Sequence, residues 1–256
     1  MISRLLDARF RRWGACLAFI CMAAGFTQVS DQRITIYMIG DSTMANKPLD
    51  DNPERGWGQM IPMFFDSTVL IENHARNGRS TRSFLRETLW TPVVNKLQPG
   101  DYVFIQFGHN DEKPEKVDRY TPPEDYRKNL IRFVTETRER QAEPVLCTPI
   151  MRRRFDEQGK FFDEHGVYPG IVRQIAEEYK VPLIDMHRKS EKLIVDLGPE
   201  GSKKIFLWIP PGVYKSLPNG REDNTHFSEY GATKMAECAV EGIKELNLEL
   251  AKRLRP

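Results

Sequence analysis

Apolar and polar positions follow two periods along the chain. Residues 35–39 are β-branched and apolar and stop at Gly40, the pattern of a buried strand. Runs of the same kind cover residues 69–74, 102–107, 144–149 and 181–186. Between them apolar residues recur at helical spacing. Trp57, Met60, Ile61, Phe64 and Phe65 mark a helix over 57–65. Tyr126, Leu130, Phe133 and Val134 mark the apolar side of a helix over 124–140, which Pro122 and Pro123 open. Ser80 or Thr81 caps a short helix through Leu85, and Thr91 with Pro92 starts another through Leu97. Helices over 171–179, 190–197 and 228–254 complete the set. Ser228 caps the last of them, and Gly231 weakens its first turn. Residues 45–56, 112–121, 151–166 and 198–225 read as charged or Gly/Pro-rich loops. Strands thus alternate with helices over 31–256. This predicts an α/β fold in one domain, a parallel sheet with helices on both faces and right-handed crossovers.

The first thirty residues break the pattern. Arg4, Arg9, Arg11 and Arg12 precede an apolar run over 13–26, the order of a secretory signal. The run is short and Gly/Ala-rich for a membrane span. Asp7 is atypical of a signal and leaves a signal anchor as the alternative. Cys16 and Cys21 lack a good small-residue box before them, which disfavours a lipoprotein. Residues 1–30 are therefore expected to direct export to a periplasm or the medium. Their removal takes the basic residues from 38 to 34 and the acidic ones from 36 to 35. Net charge then implies no nucleic-acid partner, and no stable membrane partner is expected after signal removal. Cys147 and Cys238 remain. A disulfide between them is conceivable in an oxidising compartment, but Cys147 sits in a strand-like run and reads better as a buried free thiol.

Candidate chemistry clusters at strand ends. Ser42 follows Gly40 and Asp41 at the carboxyl end of the first strand, where open α/β sheets face their ligand crevice. A serine there serves as a turn residue or as a nucleophile, and no Gly-x-Ser-x-Gly elbow occurs in the chain. A nucleophile needs a base and an oxyanion hole. The spacing of Asp223 and His226 lets a carboxylate orient an imidazole that takes the serine proton; it also fits a pair at a helix start. His74, His109 and His226 show no metal-ligand spacing. The N–H groups of Ser42 and Gly78 and the amide of Asn110 would supply three donors to one oxygen, each worth about 2.7–4 kcal/mol in a transition state. A turn glycine and an Asx-turn asparagine are the other readings of those two positions. All these positions fall at strand ends or before the last helix, so they face one crevice.

In chain order, Gly40-Asp41-Ser42, Gly78, Gly108-His109-Asn110-Asp111 and Asp223-Asn224-Thr225-His226 resemble the four blocks of the SGNH (GDSL-like) hydrolase superfamily. Residues 40–44, Trp57-Gly58-Gln59, 77–84 and 223–232 are similar in particular to rhamnogalacturonan acetylesterases. The likeness spans nearly all of 34–250. It implies a flavodoxin-like three-layer α/β/α fold and a serine esterase that needs neither cofactor nor metal. It implies Ser42 as nucleophile, His226 as base, Asp223 as its orienting carboxylate, and Ser42, Gly78 and Asn110 as the oxyanion hole. The implied substrate is an acetylated polysaccharide or oligosaccharide of pectic rhamnogalacturonan type.

Three groups are candidates for substrate contact. Arg76, Arg79 and Arg82 flank Gly78 and suit galacturonate carboxylates, or form a solvated charged face. Trp57 suits sugar stacking or core packing. Arg152, Arg153 and Arg154 suit an acidic polymer, or surface solubility. An esterase for another acetylated glycan, such as xylan, is the nearest rival. A lipid esterase is disfavoured by the charged, Pro-rich loops. A non-catalytic glycan-binding protein on the same fold is a further class, against which the complete set of Ser42, Asp223 and His226 speaks. Oligomeric state carries no signal in the sequence.

Overall fold

The computed structural model describes residues 33–256, so the secretory segment expected over 1–30 lies outside the described residues. The chain runs β1 (Ile34–Gly40), β2 (Glu54–Arg55), α1 (Trp57–Met60), β3 (Val69–Asn73), α2 (Thr81–Arg86), α3 (Thr91–Lys96), β4 (Tyr102–Gln106) and α4 (Pro123–Glu139). It continues through β5 (Glu143–Cys147), α5 (Tyr168–Tyr179), β6 (Leu183–Ile184), α6 (Met186–Gly201), β7 (Phe206–Ile209), β8 (Arg221–Ser228) and α7 (Glu229–Glu245). Five strands form a parallel sheet in the order β3-β1-β4-β5-β6.

The period of two along each strand explains the three layers. Ile36 and Met38 of β1, with Phe104 of β4, face a core shared with Trp57, Ile194 and Met235, on the side of α1, α6 and α7. Tyr37, Ile39, Val103 and Ile105 face the opposite core, shared with Phe84, Val93, Phe133 and Val172, on the side of α2 to α5. A strand buried on both faces reads as a continuous apolar run, which is how these runs look in the sequence. The fold is thus the flavodoxin-like α/β/α sandwich. Its strand order reverses between β1 and β4, and open sheets of this kind bind ligands at such a switch point. Ser42 follows β1 and Asn110 follows β4, one on each side of it.

Residues 198–225 are the main correction. They hold most of a second, three-stranded sheet of order β2-β8-β7, antiparallel throughout, rather than a long loop. β8 runs through Asp223 and His226 to Ser228. The Gly and Pro residues punctuate a hairpin whose first strand, Phe-Leu-Trp-Ile, is short and stands apart from the main sheet. Smaller shifts follow from capping. The fifth parallel strand keeps only two residues, because the Asp185 side chain accepts from the Arg188 N–H and starts α6 at Met186. The last helix ends at Glu245, and a 3₁₀ turn covers Glu249–Arg253. Cys147 is buried, Cys238 is half-buried, and both are free thiols.

Gly231 proves to be required where the chain pattern made it a weakness. A Cβ built there would lie 1.8 Å from the Ile205 carbonyl oxygen, since the first turn of α7 rests on the backbone before β7. Gly231→Ala is expected to cost about 3 kcal/mol of stability, because backbone has to move to admit the methyl. Urea unfolding measures this, and a cost below about 1 kcal/mol would contradict the close approach.

Candidate active site

The turn after β1 is set by Asp41, which is fully buried. Its Oδ1 accepts from the Thr43 N–H at 2.9 Å and from the Thr43 hydroxyl at 2.8 Å. Its Oδ2 accepts from His109 Nδ1 at 3.2 Å. Burial pushes the His109 ring down to about 4, so it is neutral and donates from Nδ1. Ser42 lines a cavity of about 330 Å³ together with Gly78, Asn110 and His226.

Ser42 Oγ lies 2.9 Å from His226 Nε2, and His226 Nδ1 lies 2.8 Å from Asp223 Oδ2. A carboxylate only accepts, so Nδ1 carries the proton and Nε2 offers its lone pair to the hydroxyl. In an unbroken strand, residues three apart point to opposite faces and stand about 10 Å apart. β8 escapes this by bulging. Leu207 opposes Asp223 and Phe206 opposes Phe227, so Asn224, Thr225 and His226 have no partners on β7. The Thr225 and His226 N–H groups close the bulge onto Asp223 Oδ1 at 2.8 and 3.0 Å. Burial raises the Asp223 pKa, but the His226 ring and these two N–H donors outweigh it and hold the carboxyl well below the usual range. Arg221 adds a donor to Oδ2 at 2.7 Å.

The bulge is also held from outside, by Trp208 and by Arg153, which the chain pattern placed on the surface. Arg153 is buried, its guanidinium stacked on Trp208 at 4.9 Å. It donates to Asn224 Oδ1 at 3.0 Å, and its own N–H donates to the Asn224 carbonyl at 2.9 Å. The Trp208 indole donates to the same Oδ1 at 2.9 Å. Arg152 is buried too, paired with Glu112, and of the three arginines expected at the surface only Arg154, paired with Glu164 at 2.6 Å, is half-exposed.

Opposite the serine, Gly78 has φ +74°, a conformation that favours glycine. The Ser42 and Gly78 N–H groups lie outside the strand ladders and have no acceptor among the described residues. Asn110 Nδ2 donates to the Arg79 carbonyl at 3.0 Å, and its Oδ1 accepts from Arg119 Nη1 at 3.2 Å. Those two bonds orient the amide and leave one Nδ2 hydrogen unused. The cavity therefore combines a hydroxyl, a base of defined tautomer and three unused N–H donors. That set can form and break an acyl ester.

The expected sugar contacts lie elsewhere. Trp57 is fully buried and donates from Nε1 to Gln106 Oε1 at 2.6 Å, so it presents no ring face to a sugar. Arg79 spends its guanidinium on Glu87 at 2.8 Å and on the Asn77 carbonyl at 2.9 Å, and it lines a neighbouring cavity with Arg76. Arg82 reaches the Tyr120 carbonyl at 3.2 Å. The cavity at Ser42 is lined instead by Glu54, Lys113 and Arg119, from segments read only as polar loops.

The family model of the GDSL-like lipases/acylhydrolases matches residues 38–232. The chain is 41% identical over 221 residues to rhamnogalacturonan acetylesterase RhgT of Bacillus subtilis (strain 168), over 86% of this chain and 94% of that one. It is 34% identical over 220 residues to the probable rhamnogalacturonan acetylesterase YesY of the same organism, over 86% and 96%. The crystal structure of Bacillus subtilis YxiM superposes with a TM-score of 0.72 at 27% identity, over 85% of this chain and 58% of that one, so the chain spans little more than half of that protein. The acetylxylan esterase Axe2 of Geobacillus stearothermophilus, at 18% identity and TM-score 0.60 over 86% and 96%, shares the fold. With its sandwich fold and these relatives, the chain is an esterase and belongs to the GDSL-like lipase/acylhydrolase family.

Proposed function

We propose that this chain is an exported carbohydrate acetylesterase that removes O-acetyl groups from pectic rhamnogalacturonan by a Ser42–His226–Asp223 mechanism. The observation that carries the reading is the relay of 2.9 and 2.8 Å contacts ending at Ser42, in a cavity that also holds Gly78 and Asn110. The two rhamnogalacturonan acetylesterase relatives support the substrate, and the basic and apolar order of residues 1–30 supports export.

The chemistry follows from the geometry. His226 Nε2 takes the Ser42 proton as Oγ attacks the acetyl carbonyl carbon. The carbonyl oxygen becomes an oxyanion, held by the N–H groups of Ser42 and Gly78 and the amide of Asn110. As the intermediate collapses, His226 returns the proton to the departing sugar oxygen. Water then attacks the acetyl-serine, His226 takes its proton, and acetate leaves with the serine restored. Asp223 stays ionised and stabilises the imidazolium.

Acetate release by the purified mature protein from acetylated rhamnogalacturonan, acetylated homogalacturonan and acetylated xylan tests the reading. Release mainly from the first is expected. Release from none, with a simple acetate ester still cleaved, would discard the pectic substrate. Asp223→Asn is expected to lower kcat about 10³- to 10⁴-fold, because the ring loses the acceptor that sets its tautomer. A loss larger than that of Ser42→Ala would contradict its role as a positioning group.

A further inference from the structure

The cavity at Ser42 carries two cations with little to pair them. Lys113 and Arg119 both line it, on the segment between β4 and α4. The Lys113 ammonium is half-buried and has no hydrogen bond or ion pair among the described residues. Burial lowers its pKa and the neighbouring Arg152 charge pushes the same way, outweighing the Glu112 and Glu115 carboxylates, which act on it from a distance without pairing. Arg119 spends Nη1 on Asn110, while its buried Nε has no hydrogen-bond partner and sees only the Asp118 carboxylate, 3.9 Å away. A Cβ built on Gly78 would stand 3.3 Å from Arg119 Nη1, so the guanidinium lies against the wall that receives the acyl oxygen. The acid in the same lining, Glu54, is already taken by Lys47 at 2.6 Å, with Arg221 at 3.8 Å.

A half-buried ammonium with no ion pair, beside a guanidinium whose one carboxylate contact is 3.9 Å long, favours an anionic ligand. Backbone turns order the segment that carries them. Thr121 N–H donates to the Asp111 carbonyl at 3.0 Å, Tyr120 N–H to the Lys116 carbonyl at 2.7 Å, and Lys116 N–H to the Lys113 carbonyl at 3.0 Å. We propose that Lys113 and Arg119 form a carboxylate subsite beside Ser42, which takes a uronate carboxyl of the sugar chain bearing the acetyl group. The inference rests on the pectic reading above and moves acid recognition from Arg79 and Arg82 to the catalytic cavity.

The test uses inhibition of 4-nitrophenyl acetate hydrolysis by two probes. One is deacetylated rhamnogalacturonan oligosaccharide; the other is the same oligosaccharide with its carboxyls reduced to primary alcohols. The wild type is expected to bind the acidic probe at least about tenfold tighter, the worth of a charge-assisted contact, with the ratio shrinking as salt is added. Lys113→Met and Arg119→Gln should each bring the ratio towards one, and Lys113→Arg should restore it. Reading a ratio of inhibition constants cancels any effect on ester turnover itself. Equal inhibition by both probes, inhibition by neither, or a ratio that survives both substitutions overturns the subsite. Acetate release from acetylated rhamnogalacturonan is measured on the same wild-type protein. Its absence beside a tenfold ratio would remove the substrate assignment and leave the subsite standing.

Discussion

Ser42→Ala protein is expected to fold like the wild type and to lose acetate-ester turnover by about 10⁴- to 10⁶-fold. The size of the loss follows from what remains. The N–H donors of residue 42 and Gly78 and the Asn110 amide still face the cavity, so binding and oxyanion stabilisation survive. On the proposed mechanism the covalent intermediate disappears, and His226 is left to activate water directly. The fold has little reason to suffer. The turn is held by Asp41 through Thr43 and His109, and none of those bonds uses the serine hydroxyl. The measurement is single-substrate kinetics with 4-nitrophenyl acetate beside an unfolding curve. Turnover within tenfold of wild type in a folded Ser42→Ala protein would sink the nucleophile assignment.

Glu112→Gln is expected to cost about 3–5 kcal/mol of stability at pH 7, the usual result of leaving a buried charge without its partner. Glu112 directly follows Asn110 and Asp111. Its carboxylate pairs with the buried Arg152 and, at 2.7 Å, with His165 Nδ1. Arg152 also donates to the His109 carbonyl at 3.3 Å, and the other His165 nitrogen bonds the Ile150 carbonyl at 2.8 Å. The cluster ties the loop after β5 to the loop that presents Asn110, so activity should fall with stability. Burial raises the Glu112 pKa, but the His165 and Arg152 contacts outweigh it and bring it from 4.5 down to about 2. Between those values the folded state binds fewer protons than the unfolded chain. The stabilisation is therefore complete above about pH 4.5 and is lost as pH falls towards 2. The stability gap between wild type and Glu112→Gln should close over the same window in urea titrations. A gap that persists unchanged at pH 2 would mean that the carboxylate charge is not its source.

The residue order carried a good deal of this. Five apolar runs separated by helical patterns were enough for a parallel α/β/α sandwich, because a strand covered on both faces has no polar side to alternate with. Capping chemistry marked Ser80 and Ser228, whose side chains accept from Ser83 and Gly231 N–H groups. Ser42, Gly78, Asn110 and Asp223–His226 each fit a turn or cap taken alone, and stood out by their joint placement at strand ends and before the last helix.

Other features were decided in three dimensions. The hairpin of β7 and β8 was hidden because its strands pair with each other and with β2, outside the sheet whose rhythm the chain displays. The bulge that brings Asp223 to His226 exists only relative to β7, so no spacing within β8 could reveal it. Trp57 and Arg153 show the same limit from both sides. An aromatic ring suited to a sugar went into the core, where Gln106 accepts its indole N–H, and an arginine suited to the surface was drawn inside, where the Pro199 carbonyl, the Ser202 hydroxyl and Asn224 Oδ1 accept from its guanidinium. Local sequence sets what a side chain can do, whereas burial and the partner it finds depend on segments far away in the chain.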